Sequence, residues 1–505
     1  MPISKSSRDV ADKTVSEDTR ATFAGGASLR RLASLSGWLR SALFRPTPAG
    51  PLGWRKFLAG VAFVVVGAAV SLARTRGPGA LNTIWIEDAR VFLDQALHES
   101  VMNTITTQWD GYYNVLPRAF TAVAVLFPLR WAPAVMSSFA AMQYALFGLI
   151  AYIASGPHLR SRWLRLLIAV PACMIPLGYT EANNDLATVQ FVALYGTFWL
   201  LLWIPGTRAG RLISPVIILG VTLTSILPVV FAPLALARLI ADRSKNTIFL
   251  LSFYVVGLAT QYSVQLRGLS NRPTGWFTSP LWVLEKYISR VVPRALFGEK
   301  ALGGGGTNIN GMPVSLHITS QALHLALIGA AWLVVAAVIL IALARITEPH
   351  WPLAIAAGLF SVLIFLGEIV NNLQIVQPRY VIAPALLLYL AIIALLRPRG
   401  VMQVPAAGGE ADTGGLPDHA PVRRVATVDR VAAWYPVAVF AALLALACAL
   451  NFRVTNARSQ SPAWSTVVAN AQASCDRPGV TGYVYKHDWW TVDIPCSRLS
   501  RPPAR

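Results

Sequence analysis

Long apolar runs separated by short basic or polar stretches constrain this chain more than anything else in it. They lie near residues 57–73, 131–154, 164–179, 187–205, 247–265, 323–345, 351–369, 380–396 and 433–451. A helix needs about 20 mostly apolar residues to cross a bilayer, where every backbone N–H and C=O must be paired without water. The run 212–240 is apolar too, but Pro228 and Pro233 break it. It is too short for two full spans and reads as a hairpin of two short helices. With the hairpin counted as two, the expected fold is an all-α polytopic transmembrane bundle of about eleven spans. The stretch 119–128 is shorter still, ends at Pro128, and reads as a re-entrant or interfacial helix.

Composition narrows the class further. Only 13% of the 505 residues are charged and 55% are hydrophobic, whereas soluble domains carry about 25% charge. That excludes a soluble enzyme, a disordered chain and a disulfide scaffold. The net charge of +20 comes from Lys and Arg placed mainly between apolar runs, as in cytoplasmic loops. It therefore reports topology, with no need of a nucleic-acid partner. Residues 1–56 read as a disordered basic cytoplasmic arm, and the first span carries the chain outside. His158, Arg160, Arg162 and Arg165, then Arg208 and Arg211, then Arg238, Arg243 and Lys245 mark successive cytoplasmic loops. The body is 57–397, with external loops at 74–130 and 266–322. A Gly/Pro/acidic cytoplasmic linker spans 398–432, the last span is 433–451, and 452–505 is a small extracytoplasmic tail. No internal repeat is visible.

Cys173 and Cys448 lie in apolar runs and read as inert thiols. Cys475 and Cys496 share the tail, outside, where disulfides persist. Their pairing would close a loop of about 20 residues, worth roughly 3 kcal/mol in the chain-entropy model.

The unusual polar residues collect on the expected outer side. Trp85-Ile86-Glu87-Asp88 places adjacent carboxylates soon after the first span, a pattern suited to a general base with a metal or hydrogen-bond partner. The competing reading is an N-cap, Asp88 opening the helix that follows. The same loop continues through Gln108-Trp109-Asp110-Gly111-Tyr112-Tyr113-Asn114 to Arg118. Its aromatics read either as an interfacial belt or as a sugar- or lipid-facing wall, with Arg118 set for a phosphate. The next outer turn holds Glu181, Asn183, Asn184 and Asp185, with Gln190 one turn later. These either mark a water boundary or line a cavity entrance. Glu368 comes late in a span, and Gln377-Pro378-Arg379-Tyr380 precedes a span containing Pro384. Arg379 either snorkels to the interface or grips a phosphate through its planar fork. The loop 266–322 is basic, and 280–297 reads as an amphipathic helix on the outer surface.

The arrangement resembles the GT-C superfamily, integral-membrane glycosyltransferases that use polyprenyl-phosphate sugars. Within it, the chain looks like uncharacterised bacterial members over about 57–400. What matches is Glu87-Asp88 in the first external loop, Gly111-Tyr112 with Leu116-Pro117-Arg118, Asn183-Asn184 with Gln190, and Arg379-Tyr380 with Pro384. The resemblance implies sugar transfer with inversion to a glycan, lipid or protein acceptor at the outer face of a bacterial cytoplasmic membrane. Asp88 or Glu87 would be the base. Arg379, Arg118 and Tyr380 would hold the donor phosphate, and Tyr112, Asn183, Asn184, Glu181 and Gln190 would line the substrate cavity. A divalent cation, Mg or Mn, on Glu87 or Glu181 stays open. The alternative is a flippase, transporter or polymerase for lipid-linked sugars.

Overall fold

The computed structural model describes residues 33–48, 50, 53–177, 184–268, 279–302, 321–371, 377–399, 427–453, 456–487 and 490–499. Among them the chain is helical apart from one small hairpin. Seven helices are long and apolar enough to cross a membrane. They are α1 (Trp54–Leu72), α3 (Ala132–Ala154), α6 (Lys245–Leu266), α7 (Gln321–Leu343), α8 (Trp351–Asn371), α9 (Ile382–Leu395, entered through Pro378–Val381) and α10 (Thr427–Leu450). The other apolar runs form shorter helices: α2 (Val115–Ala124), α4 (Val189–Leu202) and α5 (Arg208–Thr222). The 164–179 run divides into Arg162–Ala169 and Pro171–Met174 before it leaves the described residues. The proline-broken hairpin has the expected form, α5 turning at Leu227–Phe231 into a helix over Ala232–Ala241.

Hydrophobicity all round a helix forces it to the centre. α4 and α9 have almost no polar side chains and are buried along their length, α9 packing against α8 and α4. α1 and α7 keep most of their surface outside the bundle. Local polar residues set the helix starts. Thr207 caps α5 at Gly210 N, and Ser244 caps α6 at Thr247 N, each satisfying an amide that has no partner within its own helix.

The connections gather at two ends. At one, Thr47 N donates to Ile204 O, Arg397 Nη2 meets Glu348 Oε1 at 2.6 Å, and His158 lies against His350. This end carries Arg40, Arg45, Arg160, Arg162, Arg208 and Arg211. Part of the arm expected to be disordered is built into it: 33–42 is helical and Phe44 is fully buried, because Leu39, Leu43 and Phe44 supply an apolar face.

The other end is covered by the C-terminal segment, α11 (Trp464–Cys475) and an antiparallel pair, β1 (Gly482–His487) and β2 (Trp490–Pro495). Cys475 and Cys496 form the expected disulfide. The segment docks on the first loop: Trp464 Nε1 donates to Leu129 O, Asp493 N to Asp94 Oδ1, and Trp490 packs edge-on to Trp85. Cys475→Ser with Cys496→Ser is expected to lower the stability of this segment by about 3 kcal/mol. Faster proteolytic cleavage within 476–495, with the bundle intact, would show it.

A second expectation is corrected. The helical stretch within 280–297 is not a surface helix throughout. Leu281 and Leu284 are exposed, but Val291, Val292, Ala295 and Leu296 are buried beside α7 and α9, and Tyr389 Oη donates to Ala295 O. Four consecutive-turn apolar residues outweigh the basic ones in deciding its position.

Candidate functional site

At the end covered by the C-terminal segment lies a cavity with about 580 Å³ of unfilled space, counting its open mouth. Three carboxylates face it, Glu87, Asp110 and Glu368, together with the guanidinium of Arg379. Tyr112, Thr188 and Gln190 add polar atoms, and Phe92, Trp109, Phe191 and Tyr380 add aromatic walls. Arg379 Nη1 stands 4.0 Å from Glu87 Oε1, and both side chains are mostly shielded. The Arg379 guanidinium also lies 5.7 Å from the Tyr380 ring centre.

The backbone is bent to make this wall. Five non-glycine residues have positive φ among the described residues, and four of them, Ile86, Asp110, Asn114 and Asn184, line or adjoin the cavity. A β-branched residue such as Ile86 at φ 29 is a real outlier, and strain of this kind clusters at functional sites. Asp110-Gly111 forms the tip of a tight turn: Trp109 N donates to Tyr112 O at 2.9 Å and Tyr112 N to Trp109 O at 3.2 Å. Asp-Gly suits it, since both central residues need φ above zero. α6 braces the turn, Gln261 accepting from Tyr113 N and Gln265 donating to Gly111 O.

Glu87 and Asp88 are adjacent at the entry to a wide π-turn over Asp88–Leu93. Successive helical residues point about 100° apart, so only one of them can face the cavity. That one is Glu87. Asp88 points into the wall, where it accepts from Leu186 N at 2.8 Å and Ala187 N at 3.0 Å. It is neither the N-cap of its own helix nor a cavity residue, so of the two adjacent carboxylates Glu87 alone lines the cavity. The Asp88 carboxyl is pushed up by burial, which its hydrogen bonds and Arg458 oppose. Asp185, packed against it, is pushed well above the carboxylate range by burial and by the charge of Asp88. Asp185 Oδ2 meets no donor.

Two further expected site residues lie elsewhere. Arg118, expected at the donor phosphate, is fully buried inside the first loop. It donates to Gln95 Oε1 and to Thr104 O, and covers the Phe92 ring. It is a strut, since its helix turns it away from the cavity. Asn184, expected in the cavity, is buried behind it, donating to Ser71 O and accepting from Ser71 Oγ. Glu181 and Asn183 lie outside the described residues. Tyr112, Gln190, Arg379 and Tyr380 line the cavity wall. Among the described residues, no three His, Cys, Asp or Glu side chains are grouped closely enough to share a metal ion.

Asp110 and Glu368, named among the outer-side polar residues without a role, also line the cavity, as does Thr188, which the sequence does not single out. Asp110 had a local signal, the Asp-Gly turn; Glu368 had another, a charge late in a span. Arg458, behind the wall, had none. Compared with family models, curated proteins and solved structures, the chain finds no match in any of the three.

Proposed function

We propose that this protein is a membrane-embedded glycosyltransferase that takes a sugar from a polyprenyl-phosphate donor, with inversion at the anomeric carbon. What carries the reading is the meeting of Glu87 and Arg379, from opposite halves of the chain, at 4.0 Å over one cavity with aromatic walls. Glu87 takes the proton of an acceptor hydroxyl as that oxygen bonds to the anomeric carbon. The carbon–oxygen bond to the phosphate breaks, and its electron pair leaves with the phosphate. Arg379 stands where the departing charge develops, in a partly dry site that strengthens such contacts. Asp110, Glu368 and Gln190 offer acceptors and donors to sugar hydroxyls. The arginine-rich end faces the cytoplasm by the positive-inside bias, which puts the cavity at the outer face.

Incubation of the purified protein with radiolabelled polyprenyl-phosphate hexoses and pentoses tests this. Transfer to a membrane-extract acceptor, with release of polyprenyl phosphate, is expected for one of them. Arg379→Lys is expected to weaken donor binding roughly tenfold or more, the loss of a charge-assisted hydrogen bond worth about 1.5–3 kcal/mol. An unchanged donor affinity removes the phosphate role. Donor translocation in vesicles that survives Glu87→Gln, without any transfer, replaces the transferase by a flippase.

A further inference from the structure

The C-terminal segment enters the bundle with an arginine. Asn456 and Ser459 cap each other across one turn, and between them Arg458 is driven into the interior, 3% exposed. Its guanidinium donates in two directions. Nη2 reaches Thr83 O at 2.8 Å and Ser137 Oγ at 2.8 Å, and Nε reaches Thr83 Oγ1 at 3.2 Å. Nη1 reaches Asn184 O at 2.9 Å. The first backbone runs on through Trp85 to Glu87. The second runs on through Asp185 into Ala187, Thr188, Gln190 and Phe191 of the cavity wall. Asp88 ties the same two stretches a second time through Leu186 N and Ala187 N, and Arg458 supplies the positive charge facing Asp88 and Asp185. A buried guanidinium whose hydrogen bonds end on two separate backbones fixes their spacing, since each bond lost would leave a buried polar group unpaired.

We propose that Arg458 is a positioning residue of the cavity: by bridging the backbone at 80–83 to Asn184 it fixes Glu87 relative to the 187–191 wall, which makes the C-terminal segment a working part of the site. The bridge itself is independent of the chemistry; its effect on rate rests on the transferase reading. A displacement of about 1 Å at a reacting group can cost roughly 100-fold in rate, so small changes in this spacing matter.

The test uses the full chain in lipid nanodiscs, as wild type, Arg458→Met and Arg458→Lys. Amide exchange is read over 80–88 and 184–191, and kcat and KM are measured with the polyprenyl-phosphate sugar that the wild type accepts. Arg458→Met is expected to speed exchange about tenfold or more in both stretches, with α8 and α9 unchanged, because local opening free energies differ along a chain. It is expected to lower kcat about 100-fold at nearly constant KM, the signature of lost transition-state alignment. Arg458→Lys, keeping the charge but not the fork, recovers part of both. Wild-type exchange in folded Arg458→Met overturns the bridge. Faster exchange with unchanged kcat per folded molecule leaves Arg458 purely structural and overturns the positioning role. Should Arg458→Met not fold, Arg458→Lys decides by the same two readings. A wild type that transfers no sugar overturns the transferase reading and with it the rate effect, while the exchange measurement still decides the bridge.

Discussion

Glu87→Gln is expected to lower sugar transfer by about 10²–10⁴-fold, the usual contribution of a general base, while fold and donor binding persist. Gln matches Glu in size and keeps hydrogen-bonding capacity toward its neighbours, but it cannot take a proton at neutral pH. Its Arg379 neighbour is 4.0 Å away and partly reachable by water, so the lost charge leaves no deeply buried cation stranded. Asp88→Asn is expected to behave the other way. An amide can offer one oxygen where Asp88 offers two, to Leu186 N and Ala187 N; with that oxygen on Leu186 N, its NH2 group is turned toward Ala187 N, which is left with Asp185 Oδ1 alone. That costs about 1–3 kcal/mol of stability, with far less effect on turnover per folded molecule. Thermal unfolding in detergent paired with initial rates separates the two. If Asp88→Asn abolishes turnover in stable protein while Glu87→Gln does not, the base is Asp88 and the cavity geometry has been misread.

How far the sequence carried depends on what each residue answers to. Helix count and placement answer to hydrophobic run length, which is local; α3, α6, α7 and α8 lie close to their expected bounds. Run length fails where a run is shorter than a bilayer. α4 has only 14 residues, near 21 Å at about 1.5 Å per residue, and is held by burial among its neighbours. The tail disulfide was readable because only two cysteines share a polar compartment. Arg379 stood out because a basic residue beside a span on the expected outer side is exceptional, and Tyr380 entered only through the resemblance. Which of two adjacent acids faces the cavity was not readable, because it depends on the rotation of one wide turn. Arg118 misled for a related reason: a helix can carry an Arg toward a site or away from it, and only the partners Gln95 and Thr104 decide. Arg458 was invisible, since its partners at Thr83 and Asn184 lie hundreds of residues away and no periodicity links them.

Gly77→Ala is expected to destabilise the docking of the C-terminal segment by more than about 3 kcal/mol, combining two costs. Gly77 has φ +66, which for alanine costs about 1–2 kcal/mol. An added Cβ would also stand 1.9 Å from Ser459 O. That oxygen belongs to backbone, so relief requires moving the turn that carries Arg458. Gly79→Ala is the matched control. Its φ is +84 with nothing within 4 Å of the added Cβ, so it bears backbone strain alone, of order 1–3 kcal/mol. Proteolysis of the 456–499 segment compares the two in folded protein. If Gly77 acts by withdrawing Arg458, then Gly77→Ala and Arg458→Met disturb the same contact, and their effects on exchange at 184–191 will not add. Additive effects would mean that Arg458 stays seated when the turn moves. Equal sensitivity of Gly77→Ala and Gly79→Ala would mean that the approach of Ser459 to this bend is not tight in solution, and the coupling of the C-terminal segment to the cavity would lose its structural basis.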